Sequence, residues 1–364
     1  MIDSPNHHAR LTVRLGAVKA NYAEVARRAG RANVAPVVKA DGYGLGAAPI
    51  AQALAACGAD TFFVARIEEG IALRRVLPSV RILVLDGANA ETAPALLAHK
   101  LTPVLNALQE IDAYAALARD GTLEAAIQVD TGISRSGLSR DEISELAASG
   151  RTKLEHIGLV MILSQLACAD EPAHPQNKRQ LERFRAALAA LPPAPASLAA
   201  SAGVHLGREY LFDVVRPGIA LYGGNPVTPQ PTSYRPVVSL TACVLQVRQV
   251  EPGGSVGYGA TFTAARPSTL AVVALGYADG IPRALQTHGS AAIAGRRVPF
   301  AGRISMDLLA LDVSGLPAGL VKPGTEVELL GDTITVDNVA RAGNTIPHEV
   351  LTALHPRAQR VYEA

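Results

Sequence analysis

From residue 34 to about 224, short apolar runs alternate with longer stretches whose apolar positions recur every three or four residues. The runs at 34–40, 61–66, 81–86, 101–106, 123–130, 156–164, 195–201 and 213–218 predict eight strands. Between them, 49–57, 68–76, 91–100, 109–119, 141–148 and 177–191 predict crossover helices, the last with Leu181, Phe184 and Leu188 on one face. Eight strand-helix units at this spacing predict a (β/α)8 TIM barrel, with a preceding helix near 15–28 closing one end. A doubly wound sheet would use the same units. Its nucleotide fingerprint is missing, because Gly42, Gly44 and Gly46 give G-x-G-x-G rather than G-x-G-x-x-G.

Beyond Gly224 the pattern changes. A proline-rich linker, Asn225 to Pro231, is followed by runs at 239–250, 269–275, 290–293, 306–313 and 326–330, several of them alternating and none separated by helical stretches. The reading is an α/β chain in two parts: a barrel over 9–228 and a C-terminal mostly-β domain over 229–364, with 1–8 as a flexible terminus. The β domain carries aromatic and polar residues in glycine-rich turns, where functional groups are often presented.

Charge narrows the partners. With 34 basic and 32 acidic residues the net charge is +2, which leaves no field to draw a nucleic acid or a membrane surface. A small molecule is the expected partner. Cys57, Cys168 and Cys243 lie far apart with no C-x-x-C spacing, so neither a disulfide framework nor a zinc knuckle is indicated. No run approaches about 18 apolar residues and no leader pattern opens the chain, so the cytoplasm is the expected location. His7 and His8, adjacent near the N-terminus, read as solvated rather than as metal ligands, and no metal is expected.

The chemistry is concentrated at Lys39. It closes the apolar run Val34-Ala35-Pro36-Val37-Val38 and is followed by Ala40-Asp41-Gly42-Tyr43-Gly44-Leu45-Gly46. An amine at the end of a buried strand loses solvation, which disfavours its charged form. The neutral amine is a nucleophile toward carbonyls, as a Schiff-base lysine requires. A lysine that snorkels to water beside an ordinary turn is the alternative reading.

Six motifs occur in order along both parts: Val37-Val38-Lys39-Ala40-Asp41-Gly42-Tyr43-Gly44, Val129-Asp130-Thr131-Gly132-Ile133-Ser134-Arg135-Ser136-Gly137, Arg216-Pro217-Gly218-Ile219-Ala220-Leu221-Tyr222-Gly223, Gly257-Tyr258-Gly259-Ala260-Thr261, Gly276-Tyr277-Ala278-Asp279-Gly280 and Gly302-Arg303-Ile304-Ser305-Met306-Asp307. Together they resemble the alanine racemase family, over nearly the whole chain. The resemblance implies a pyridoxal 5'-phosphate barrel followed by a β domain. It further implies that Lys39 carries the cofactor as a Schiff base and then serves as one of two proton-transfer bases, with Tyr258 as the other. Two bases suit racemisation, which removes the α-proton from one face and returns it to the opposite one.

By the same resemblance, Arg216 faces the pyridine nitrogen. As a permanent cation it makes that nitrogen an acceptor and leaves the ring a weaker electron sink, which suppresses transamination. Tyr43, Ser201, Gly218 and Ile219 resemble the phosphate cradle, although Ser201 alone also reads as a helix N-cap. Arg135 resembles the residue that fixes the substrate carboxylate, with surface pairing to Glu142 as the alternative. Met306 and Tyr277 resemble substrate-site residues. In the family the tyrosine base and the methionine segment reach the other subunit's barrel, so a homodimer with two shared active sites is implied.

Four positions depart from the family pattern. Gln128 stands where a lysine, often carbamylated, braces the substrate arginine; a neutral amide or a bound anion would then take that part. Gln165 stands where a histidine links the pyridine-facing arginine to the tyrosine base, and its amide cannot take a proton. His348 replaces a tyrosine near the phosphate, and Ser305 a frequent cysteine. The expected activity is interconversion of L- and D-alanine, supplying peptidoglycan synthesis or alanine breakdown. A racemase of serine or another amino acid is the closest alternative, and an amino-acid decarboxylase of the same architecture a further one.

Overall fold

A computed structural model of the chain describes residues 9–118, 121–149, 152–227 and 232–364. His7, His8 and residues 228–231 of the predicted linker lie outside the described residues. The chain divides into two compact units: one holds residues up to Val18, Tyr222–Gly224 and Arg235–Ala364, the other Lys19–Leu221 and Asn225–Tyr234.

The second of these is the barrel. The chain opens with strand β1 (Ala9–Arg14), which belongs to the other unit, and the barrel strands follow as β2 (Asn33–Val34), β3 (Thr61–Val64), β4 (Arg81–Val84), β5 (Thr102–Leu105), β6 (Leu123–Gln128), β7 (Ile157–Leu163), β8 (Ala196–Ser197) and β9 (Val214–Val215). β3 to β8 lie side by side in sequence order, each neighbour parallel. β2 and β9 form a parallel pair. Parallel bridges Val37↔Phe63 and Ala200↔Arg216 join that pair to β3 and β8, so the eight strands close on themselves. Phe62, Phe63, Ile82, Leu83, Val104, Leu105, Ala125, Ala126 and Ile127 are all fully buried. Burial on both faces is why these strands read as unbroken apolar runs.

Several predicted strands prove longer than the observed ones. The 34–40 run is regular only at Asn33–Val34 because Pro36 has no N–H to give to a ladder. The chain nevertheless stays in the wall: Ala35 and Val37 donate to Val215 and Pro217, and Val38 donates to Phe63. The 213–218 run is cut short in the same way by Pro217.

In the other unit, β10 (Val238–Val250) pairs with β1 and with β17 (Glu326–Leu330) through its first half. Through its second half, beyond an irregularity at Val244/Gln246, it pairs with β13 (Ser268–Val273). β14 (Ser290–Ile293), β15 (Arg296–Pro299) and β16 (Leu309–Asp312) extend the sheet, and β18 (Gln359–Glu363) runs parallel to β1. The first half of β10 alternates buried and part-exposed positions, the signature of one wet face. β11 (Ser255–Val256) and β12 (Phe262–Thr263) form a small hairpin around residue 258. The pattern showed neither β1 nor β18, and three short helices, Leu285–His288, Val336–Ala342 and Pro347–Ala353, lie in a part read as strands alone, the first of them between two predicted runs. β1 hydrogen-bonds in this sheet, so residues 9–14 count with the C-terminal unit and not with the barrel.

Candidate active site

Because the barrel strands are parallel, their C-terminal ends share one mouth, and the residues there come from widely separated segments. Lys39 follows the Val37 bridge, Gln128 ends β6, Ser164 follows β7, Arg216 is itself a partner in the Ala200↔Arg216 bridge, and Ser201 follows Ala200.

Lys39 does not finish a strand; it begins a turn, Lys39–Tyr43, that is left-handed. Ala40, Asp41, Gly42 and Tyr43 have φ of 52°, 51°, 62° and 57°. Each non-glycine residue there costs about 1–2 kcal/mol, so the turn persists only because its surroundings over-determine it. Gly42 N–H donates to Val38 O (2.9 Å), Gly44 N–H to Ala40 O (2.7 Å) and Gly46 N–H to Asp41 O (2.8 Å). The Glu69 carboxylate accepts from Ala40 N–H at 2.6 Å and from Ala65 N–H at 2.8 Å, which ties the turn to the end of β3. Burial pushes the Lys39 amine below its ordinary pKa, the Arg135 charge adds to this, and Glu69 and Asp86 oppose it.

Arg216 is 4% exposed. Its guanidinium donates to Ser197 Oγ, to Ser164 O (2.5 Å) and to Gln165 Oε1 (3.4 Å), and it lies 5.8 Å from the centroid of the Phe63 ring. No carboxylate pairs with it among the described residues. Burial brings its pKa down to about 10, which still leaves a cation at neutral pH. A buried cation held only by neutral acceptors carries a desolvation cost of several kcal/mol, the kind of arrangement that functional sites retain.

Ser201 Oγ accepts from Gly218 N–H (2.9 Å) and Ala220 N–H (3.2 Å), fixing the loop that leads into Ile219–Tyr222. This is not a helix N-cap at Ser201's own position, since the hydroxyl reaches 17 and 19 residues along the chain. A Cβ at Gly218 would overlap the Tyr43 hydroxyl. The sequence-predicted cradle residues Tyr43, Ser201, Gly218 and Ile219 are thus brought together.

Arg135 is exposed on the loop after β6. Asp130 Oδ1 shapes that loop by accepting from the N–H groups of Gly132, Ile133 and Ser134 at 2.8, 3.0 and 3.2 Å. The alternative partner Glu142 is engaged elsewhere, in a reciprocal cap with Ser139. Gln128 is buried and donates to the Ser136 carbonyl (3.0 Å) and hydroxyl (2.7 Å). Among the described residues it makes no hydrogen bond to Arg135, so the expected amide brace is not direct.

In the β unit Tyr258 is 72% exposed, in a turn whose Gly257 and Gly259 have φ of 75° and 72°. A Cβ at Gly257 would meet Arg303 N at 3.2 Å, and one at Gly259 would meet Arg303 Nη1 at 2.9 Å, so glycine lets this turn lie on the Arg303 segment. Tyr277 N–H donates to Ser305 O and Ala278 N–H to Met306 O, both at 3.0 Å, which puts Tyr277 and Met306 on adjoining turns. Both are exposed, at 42% and 54%. Arg357 stiffens the pair from behind through Asp307 (2.8 Å) and Asp279 (3.5 Å). His348 lies exposed on the Pro347–Ala353 helix.

Residues 13–226 match the family model described as alanine racemase, N-terminal domain, and residues 237–362 match the one described as alanine racemase, C-terminal domain. The chain belongs to the alanine racemase family. A catabolic alanine racemase of Agrobacterium fabrum is 44% identical, over 97% of this chain and 91% of its own length. The crystal structure of alanine racemase from Bartonella henselae with covalently bound pyridoxal phosphate is similar at a TM-score of 0.94 and 40% identity, covering 98% of this chain and 100% of that one. That of the biosynthetic alanine racemase from Pseudomonas aeruginosa gives 0.93 and 36%, covering 99% and 100%. Family membership makes the chain an amino-acid isomerase with the barrel-plus-β architecture.

Sequence reasoning missed the residues that support this family's motifs here. Glu69, Ser164 and Ser197 touch the motif residues across 19 to 52 positions of sequence, and no local pattern marks them.

Proposed function

We propose that this chain interconverts L- and D-alanine with pyridoxal 5'-phosphate bound at Lys39, as a homodimer in which the barrel of one subunit and the Tyr258 turn of the other share a site. The observation that carries this reading is the pairing, at one barrel mouth, of an amine held below its ordinary pKa with a buried arginine that has no carboxylate partner among the described residues. The donor set fits the cofactor: an amine for its aldehyde, a guanidinium for its ring nitrogen, and Ser201, Tyr43 and the Gly218 and Ile219 backbone for its phosphate. When bound, the cofactor withdraws electrons from the substrate's α-carbon and so acidifies the α-proton.

The residues do the rest. Arg135 holds the substrate carboxylate, and its exposure leaves its donors available. Lys39 Nζ handles the α-proton on one face, and the Tyr258 hydroxyl handles it on the other; the base that accepts a proton from one enantiomer donates one to its mirror image. Tyr277 and Met306 bound the substrate from the β unit. The cation of Arg216 keeps the ring nitrogen as an acceptor, which favours return of the proton to the α-carbon. Relatives carry both catabolic and biosynthetic names, and D-alanine serves either role. Free thiols, with Cys57 exposed, suit a reducing cytoplasm.

The test is direct. Purified protein should show a visible absorption band erased by borohydride and should racemise L-alanine faster than L-serine or L-lysine. Lys39→Ala should lose the band. A band that persists in Lys39→Ala, or an absence of alanine racemisation in the wild type, contradicts the reading.

A further inference from the structure

One face of the helix Pro175–Ala190 carries Gln176, Gln180 and Arg183, at i, i+4 and i+7, and all three reach the loop after β6. Gln176 Nε2 donates to Gly132 O (2.9 Å) and Arg183 Nη1 to Thr131 O (3.1 Å). Gly132 has φ of +129°, and a Cβ there would meet Gln176 Nε2 at 2.7 Å and Arg183 Nη1 at 2.9 Å. Gln180 is different because it is fully buried and reaches two loops. Its Nε2 donates to Thr131 Oγ1 (3.0 Å) and Gln165 O (2.8 Å), and its Oε1 accepts from Ala167 N–H (2.8 Å). A backbone N–H on one side and a carbonyl on the other allow only this orientation of the amide.

The hydrogen bonds then run in one direction. Ser164 Oγ gives its proton to Val129 O (2.7 Å), so the 2.8 Å contact between Thr131 and Ser164 has Thr131 as donor. Gln180 donates to Thr131, Thr131 to Ser164, and the carbonyl of that same Ser164 receives the Arg216 guanidinium, which also contacts Gln165. Fully satisfied buried networks of this kind rigidify what they connect.

The geometry points to Gln180 as a positioning residue that sets two arginines at once: Arg135, through Thr131 and the loop after β6, and Arg216, through Ser164 and Gln165. This rests on the proposed roles of those arginines toward substrate carboxylate and cofactor ring. Gln176 and Arg183 hold only the first arm.

Gln180→Leu, Gln176→Leu and Thr131→Val separate the arms. For Gln180→Leu we expect KM for L-alanine to rise about tenfold or more, as misplacement of a positioning group does, and the visible band of the bound cofactor to move. In the cofactor-free protein, the amides of Gly132, Ile133 and Ala167 should exchange with deuterium faster than in wild type. Gln176→Leu should raise KM and leave the band in place. Wild-type KM, band and exchange in Gln180→Leu, or a lowered melting temperature with those three unchanged, would overturn the assignment. If Gln180→Leu does not fold, Thr131→Val, which deletes one hydroxyl, decides the matter: a raised KM with a moved band supports the link, and wild-type values refute it. A wild type that does not racemise alanine would count against the functional reading, while amide exchange would still report on the tether.

Discussion

A lysine held below its ordinary pKa changes what the folded chain does with a proton. The unfolded chain binds that proton more readily, so between the lowered value and about 10.5 the stability of the cofactor-free protein rises with pH. Below that window the fold bears the full cost of charging the amine. Lys39→Met should therefore stabilise the cofactor-free protein at pH 7, with the gain vanishing toward the ordinary lysine range; thermal melts across pH check this. A lowered pKa also enlarges the neutral fraction of the amine, so pyridoxal phosphate with borohydride at pH 7.5 should label Lys39 ahead of Lys19, Lys100 and Lys322, as peptide mapping would show. Replacing the other proposed proton handler, Tyr258→Phe, should keep the visible band and lower turnover of L-alanine by about 100-fold or more. Gln165 offers a finer comparison. It touches Arg216 through an amide that cannot titrate, so the wild type should have a more alkaline rate optimum than Gln165→His, and identical pH profiles would refute that. The proposed site residues were legible as candidates because Lys39 closes an apolar run and the six motifs fall in order. Their supporters Glu69, Ser164 and Ser197 were not, because a long-range hydrogen bond leaves no trace in local spacing.

Among the elements, the left-handed turn at Lys39–Tyr43 has the most to hold in place. Three of its four left-handed residues are not glycine, and Glu69 and Asp41 supply side-chain acceptors that brace it, the latter for Ala47 N–H at 2.9 Å. The opposite wall of the cradle depends on a missing side chain. Gly218→Ala would displace the Tyr43 hydroxyl, and we expect affinity for pyridoxal phosphate to fall at least about tenfold in equilibrium dialysis, since a methyl must fit where the ring already sits. An unchanged affinity would remove Tyr43 and Gly218 from the proposed phosphate site. The barrel strands were readable because burial on both faces makes them continuous apolar runs. Lys39 was misread as a strand end because sequence period cannot signal a switch to positive φ. β1 and β18 escaped because short terminal strands gain their partners only through pairing with β10 and with each other.

For the whole molecule, the β unit leaves Leu245, Tyr258, Tyr277, Met306, Leu308, Ile346 and Tyr362 exposed, with Tyr277 and Met306 on adjoining turns. The proposed two-fold dimer, by seating the Tyr258 turn at the neighbour's barrel mouth, would cover part of this apolar surface in each subunit. The order of domains was legible from the shift in periodicity after Gly224. The proposed sharing of a site rests on the family resemblance, because composition and pattern describe one chain at a time. The decisive measurement is complementation. Lys39→Ala and Tyr258→Phe should each be inactive as homodimers, whereas unfolding and refolding them together should yield heterodimers in which one of two sites has both bases intact, restoring roughly a quarter of the wild-type sites. A mixture that stays inactive while forming heterodimers would show that Lys39 and Tyr258 do not meet across subunits.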